Sequence, residues 1–147
     1  MYNSKDFGAV AEYWHDRQCS VLFAEQRGQN ESGGSYMGFG LLERYDCLDW
    51  VCSLQQSAPN LPIYLCGVSM GAATVLMACD LNLPANIKGI IADCPYSSPK
   101  EIIMKVGKDM HFPPRLMIPF VWLGGFLFGH FNLFESSAAE EIGRAHV

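Results

Sequence analysis

The stretch Gly67-Val68-Ser69-Met70-Gly71 sets a serine two residues from a glycine on each side. A serine hydroxyl attacks a carbonyl well only when a base takes its proton and fixed donors hold the oxyanion that forms. Gly-x-Ser-x-Gly carries that chemistry when a strand ends just before it and a helix starts just after it, an arrangement called a nucleophile elbow. Both neighbours have that character here. "PIYLCGV" is apolar throughout with Pro62 at its start and reads as a strand; "MGAATVLMACDL" is apolar on nearly every side and reads as a buried helix. At such a corner Ser69 is expected to hold a strained conformation that projects its oxygen. Gly67 and Gly71 would leave room for the turn and for close strand–helix approach. The backbone N–H of Met70 would face the developing oxyanion. The alternative is a tight turn in which the serine is only a small residue.

The elements that must position this corner follow from the pattern along the chain. Ser4 or Asp6 is placed to cap a helix through "FGAVAEYWHDRQ", where Phe7, Val10, Ala11 and Trp14 recur at helical spacing. "CSVLFA", Cys19 to Ala24, reads as a short strand, and the glycine-rich, polar "EQRGQNESGGSYMG" as a long loop. "FGLLERYDCLDWVCSLQQ" brings Leu42, Tyr45, Leu48 (or Asp49) and Cys52 near one face of a second helix. "IKGIIAD", Ile87 to Asp93, is a further strand, and "SPKEIIMKV" a helix with Ser98 as cap and Pro99 at its first position. Strands apolar on both faces and separated by helices predict an α/β class: a mostly parallel sheet, helices on both faces, right-handed crossovers.

After Val106 the pattern changes. "HFPPRLMIPFVWLGGFLFGHFNLF" is aromatic and broken by Pro113, Pro114 and Pro119, which suits a cap over a pocket; loosely packed core is the other reading. Its stretch from Leu116 to Gly129, about 14 residues, is shorter than the roughly 18 to 20 needed to span a bilayer. Pro119, Gly124 and Gly125 also weaken it as a helix. The expected division is a core over 1–109, a cap-like segment over 110–140 and a tail over 141–147.

Composition bounds the function. The 147 residues are 50% hydrophobic and 17% charged, enough for one modest globular domain with a core. A net charge of −5 leaves no basic patch for nucleic acid and no lysine-rich run for an anionic membrane. Cys19, Cys47, Cys52, Cys66, Cys79 and Cys94 form no CxxC pair, so neither zinc nor any other metal is expected. Several sit in apolar runs and read as buried free thiols in a reducing, cytoplasmic compartment. "MYNSKDFGAV" lacks the charged start and apolar run of a signal peptide.

Taken together, "EQRGQNESGGSYMGFGLLERYDCLDWV", "YLCGVSMGAATVLMA" and "KGIIADCPYSSPKEI" resemble the α/β-hydrolases, and within them a bacterial Bem46-type, cell-surface-hydrolase-like branch. The resemblance runs from about Cys19 to Val106. It implies a nucleophile at Ser69 and hydrolysis of an ester, thioester or amide through an acyl-enzyme, with no cofactor. The related loop usually reads D-x-R-G-H-G-x-S; "EQRGQNES" departs from it at Glu25, Gln29 and Asn30. Arg27 is expected to be a structural hydrogen-bond donor near the site.

The resemblance also implies a triad in the order Ser, Asp or Glu, His. The acid normally follows the strand after "IKGIIAD", and the histidine a later strand; neither has a counterpart here. After the elbow come only His111 and His130, in the cap-like segment, and His146 near the terminus. No following strand would position any of them as a base. His15 precedes the elbow on a helix and reads as a surface residue. Asp93 could face the pocket or cap the next turn. The segment that supplies a second oxyanion donor also lacks a counterpart, so the first and last strands of the fold are expected to be missing. "EIGRAHV", Glu141 to Val147, is encodable as GAGATCGGAAGAGCACACGTC, which resembles sequencing-adapter read-through, and is read as non-native.

Three functions follow. One is a serine hydrolase acting through Ser69 on a small-molecule acyl substrate with an apolar part, for which Phe112 to Phe134 would offer the pocket. A second is a catalytically inactive fragment or binding module. A third is an acyltransferase on the same scaffold.

Overall fold

The computed structural model describes residues 7–111, 113–132 and 134. The chain divides into two compact units at Met37/Gly38.

In the first unit, α1 spans Gly8–His15. Phe7 stands at its N-cap without a side-chain cap; Ser4 and Asp6 lie outside the described residues. Phe7, Ala11 and Trp14 are half-buried, while Val10 is exposed. The helix end is closed by Cys19 N donating to the Trp14 carbonyl at 3.0 Å. The Arg17 guanidinium lies 3.6 Å from the Tyr13 ring centroid. Cys19–Ala24 is not the predicted strand: it is irregular, with Leu22 and Phe23 exposed. A strand exists by ladder pairing, not by its own apolar run, and the ladder among the described residues joins two other segments. The predicted loop does form. Gly28 (φ 68°), Asn30 (φ 47°) and Gly34 (φ 102°) turn the chain, and Gly28 N donates to the Gly33 carbonyl at 2.9 Å.

The second unit holds α2 (Glu43–Ser57), β1 (Ile63–Val68), α3 (Met70–Met77), β2 (Ile87–Asp93), α4 (Pro99–Asp109) and α5 (Pro114–Gly124). A 3₁₀ turn (Ala78–Asp80) follows α3, and a π turn (Gly125–Gly129) follows α5. The two strands pair in parallel, with Leu65 opposite Ile90, Cys66 opposite Ile91 and Val68 opposite Asp93. This β-α-β unit is the local form of the predicted α/β class.

Burial alternates along β1. Ile63, Leu65 and Gly67 turn toward α3, whereas Tyr64, Cys66 and Val68 on the opposite face are exposed, as is Ile91 beside them. Coverage on both faces, the expectation for a parallel sheet, is therefore met on the α3 face and not at these residues. The cysteines are free but not fully buried: Cys19, Cys66 and Cys94 are exposed, Cys66 on this uncovered face, and Cys47, Cys52 and Cys79 are half-buried.

Helix α3 buries Ala72, Ala73, Thr74, Val75 and Met77, as its all-round apolarity predicts. The core joins it to Leu41, Ile103 of α4 and Phe131. Helix α2 starts later than "FGLLER" implies, because Phe39 (φ 53°) and Gly40 (φ 91°) turn the chain just before it. The Glu43 carboxylate clamps that turn, accepting from Gly38 N at 2.6 Å and Gly40 N at 2.8 Å. Of the face expected on α2, Leu48 and Cys52 are half-buried, Leu42 at the N-cap packs against the core, and Tyr45 is exposed; the fully buried residues of the helix are Glu43, Arg44 and Val51.

The expected weakness of Leu116–Gly129 as a helix is overturned. Pro113 is the N-cap of α5, and Pro119 lies inside it. Packing overrides propensity. Val121 meets the core, and Phe131 folds back so closely that a Cβ on Gly125 would sit 3.0 Å from its ring. Gly124 has open space around its Cβ position. Among the described residues no helix is long and apolar enough to cross a membrane.

Candidate active site

Ser69 follows β1 directly and occupies the N-cap of α3. Its backbone has φ 53° and ψ −111°, a region that residues with a Cβ avoid and that costs of order 1–3 kcal/mol. Two bonds enforce it. Ser69 N donates to the Asp93 carbonyl at 2.9 Å, one rung beyond the Val68–Asp93 pair. The Ser69 carbonyl accepts from Ala73 N at 3.1 Å, the first helical bond. The same residue is thus the last rung of the sheet and the first turn of the helix, and its side chain is exposed.

That corner needs the strand and helix backbones to touch. A Cβ on Gly67 would lie 2.6 Å from Ala72 N and still closer to the Gly71 carbonyl. At Gly71 a Cβ would meet nothing within 4 Å. The close approach expected of both glycines is therefore made at Gly67. Helix geometry leaves the N–H groups of Met70, Gly71 and Ala72 without an intrahelical acceptor, and Met70, next to Ser69, is the first of them.

Ser69 opens on a cleft of about 520 Å³ lined by Cys94, Pro95, Tyr96, Ser97, Glu101, Ile102 and Lys105. The lining comes from the end of β2 and one side of α4. Ser98 caps α4 as predicted, its Oγ accepting from Glu101 N at 3.3 Å, with Pro99 at the first position. That start sets Glu101 and Lys105 four residues apart on one face of α4, with Ser97 just before the cap. The Ser97 hydroxyl donates to the Glu101 carboxylate. Tyr96 is half-buried. Burial, and then the negative charge of Glu43, push its phenol above the ordinary range, and its hydroxyl has no hydrogen-bond partner among the described residues.

The other residues singled out from the sequence lie elsewhere. Asp93 contributes its carbonyl to Ser69, and among the described residues its exposed carboxylate makes no hydrogen bond that would cap the next turn. His111 (φ 57°) and His130 (φ 55°) are exposed at the ends of α4 and the π turn, and neither lines the cleft. His15 is exposed on α1, Arg27 lies in the loop of the first unit, and His146 falls outside the described residues. Of the aromatic stretch Phe112 to Phe134, none of the described residues lines the cleft. No three His, Cys, Asp or Glu side chains among the described residues gather as a metal-binding group. Sequence reasoning missed Tyr96, Ser97, Glu101 and Lys105. The signal was present: ligands of α/β folds bind beyond the carboxyl ends of strands, and these residues follow β2.

A parallel β-α-β unit with a strained serine at its strand-to-helix corner is an arrangement of the α/β class. The chain matches the family model described as serine aminopeptidase, S33, over residues 2–133, and belongs to that family within the α/β-hydrolase superfamily. No curated protein and no solved structure matches it.

Proposed function

We propose that Ser69 is the nucleophile of an acyl-transfer hydrolase acting on an ester, thioester or amide. One observation carries the reading: the φ 53°, ψ −111° backbone that holds an exposed serine between sheet and helix. Strain of this kind persists only where surrounding structure enforces it, and it clusters at functional sites. In the proposed reaction Ser69 Oγ attacks the carbonyl carbon as its proton passes to a base. The Met70 N–H stabilises the oxyanion, a contribution of about 3–4 kcal/mol for one donor. Collapse expels the alcohol, thiol or amine and leaves acyl-Ser69, which water then cleaves. The Bem46-type affinity belongs with this proposal. An acyltransferase would differ only in the second nucleophile.

A second reading, a non-catalytic fragment or binding module, is favoured by the lack of any histidine among the described residues that line the cleft. Without a base, an elbow retains only residual rate from its donors and from binding. The two readings separate by experiment. The chain is incubated for hours with a fluorophosphonate, and the label is mapped by mass spectrometry in wild type and Ser69→Ala. Slow labelling at Ser69 that disappears in the variant supports the nucleophile. Equal labelling of both proteins, or none, refutes it. Hydrolysis of p-nitrophenyl acetate at the buffer rate marks the chain as lacking its base; Ser69-dependent turnover overturns the inactive reading.

A further inference from the structure

We propose that the Ser69 cleft selects substrates bearing an anionic group, a carboxylate or phosphate set a few bonds from the scissile carbonyl, and that Lys105 receives it. The inference rests on the reading of Ser69 as nucleophile and adds the substrate's charge. Two formal charges line the cleft, Glu101 and Lys105. They are not equivalent. The Glu101 carboxylate accepts from the Ser97 hydroxyl and sits in the first turn of α4, where helix polarity offsets negative charge. The Lys105 ammonium has no partner among the described residues. The unmet charge of the cleft is therefore positive.

Position fits as well. Ser69 and Cys94, each just past a strand end, and Lys105 of α4 line the same cleft, with Lys105 one helical turn beyond Glu101. A substrate whose carbonyl sits at Ser69 therefore shares its cleft with the ammonium, where a second, anionic group of the same molecule can be received. Ile102 and Pro95 give that molecule an apolar wall, and Lys105 supplies the charge. Lys105 is thus a specificity-determining residue.

The test uses Cys94, an exposed thiol in the same cleft, so it does not require catalysis. The full chain is alkylated with anionic iodoacetate or neutral iodoacetamide. The rate ratio at Cys94 is read by peptide mass spectrometry against the exposed Cys19. Lys105→Glu is expected to lower the iodoacetate preference at Cys94 by about two- to fivefold, the scale of an exposed charge pair. Lys105→Arg keeps the preference, and Lys108→Glu, outside the cleft, leaves it in place. Monomethyl glutarate is expected to protect Cys94 of the wild type better than neutral glutaramide does. Lys105 is exposed, so its variants are expected to fold. An unchanged ratio in Lys105→Glu, an equal drop in Lys108→Glu, or equal protection by the two compounds overturns the proposal. Intact ratios with no label on Ser69 refute the catalytic reading and leave anion selection standing; lost ratios with Ser69 labelled do the reverse.

Discussion

The two glycines of the elbow look alike in sequence, yet they are expected to respond oppositely to alanine. At Gly67 the added methyl would sit 2.6 Å from Ala72 N and closer still to the Gly71 carbonyl, where ordinary contact is 3.4–4 Å. Relief requires β1 and α3 to separate by about 1 Å, the shortfall against ordinary contact. Overpacking usually costs about 1–3 kcal/mol. Here the obstacle is helix backbone, tied to the sheet through both main-chain bonds of Ser69. No side chain can swing aside, so about 3 kcal/mol is expected for Gly67→Ala. At Gly71 the methyl enters open space in the first turn of α3. Alanine there gains up to about 1 kcal/mol of helix propensity. At roughly 3 °C per kcal/mol for a chain of this size, melting should fall by about 9 °C in Gly67→Ala and rise by about 3 °C in Gly71→Ala. Urea titrations followed by circular dichroism supply the free energies. Equal losses in the two variants, or a neutral Gly67→Ala, would refute the claim that strand and helix touch at this corner. Displacing Ser69 from its two bonds should also slow its labelling in Gly67→Ala.

Two further outcomes follow from a buried group and a half-buried one. Glu43→Ala removes the acceptor that clamps Gly38 and Gly40 around Phe39, and hydrogen bonds to a charged group contribute about 1.5–3 kcal/mol each. A loss of about 3 kcal/mol or more is expected by urea titration, with partial recovery in Glu43→Gln, which keeps one acceptor. Burial first, then the neighbouring Cys79 and Asp46, push the Cys47 thiol from 9.0 to about 11. The folded state therefore holds that proton where the unfolded chain releases it. The associated stability is complete below about pH 9 and is lost as pH rises to about 11, roughly 2–3 kcal/mol in all. Melting curves across that range should fall less steeply in Cys47→Ala than in the wild type. An identical fall in both would show that Cys47 does not contribute.

Much of the fold was legible because local patterns decided it. Both strands that pair were readable from short apolar runs bounded by turn residues, and Ile87–Asp93 was bounded to the residue. The start of α4 was legible because a serine cap followed by proline is a local signal. What went astray depended on partners that residue types do not announce. Cys19–Ala24 has a strand's composition but lies outside the ladder. The burial of Glu43 in α2 was not legible, because its carboxylate is satisfied by two backbone N–H groups, a pairing no periodicity discloses. Helix α5 forms through Pro119 because Phe131 and the core hold it.

For the site, sequence alone determined which residue stands at the corner. A serine between glycines, with a strand before it and a buried helix after it, is a local statement, and residue types suffice to make it. Tertiary structure decided the rest: the positive φ of Ser69, the glycine that must lack a side chain, and the lining of the cleft. Those properties arise where β1, α3, the end of β2 and α4 converge. Strain and access depend on distances between segments far apart in the chain, and residue order does not encode those distances until the segments pack.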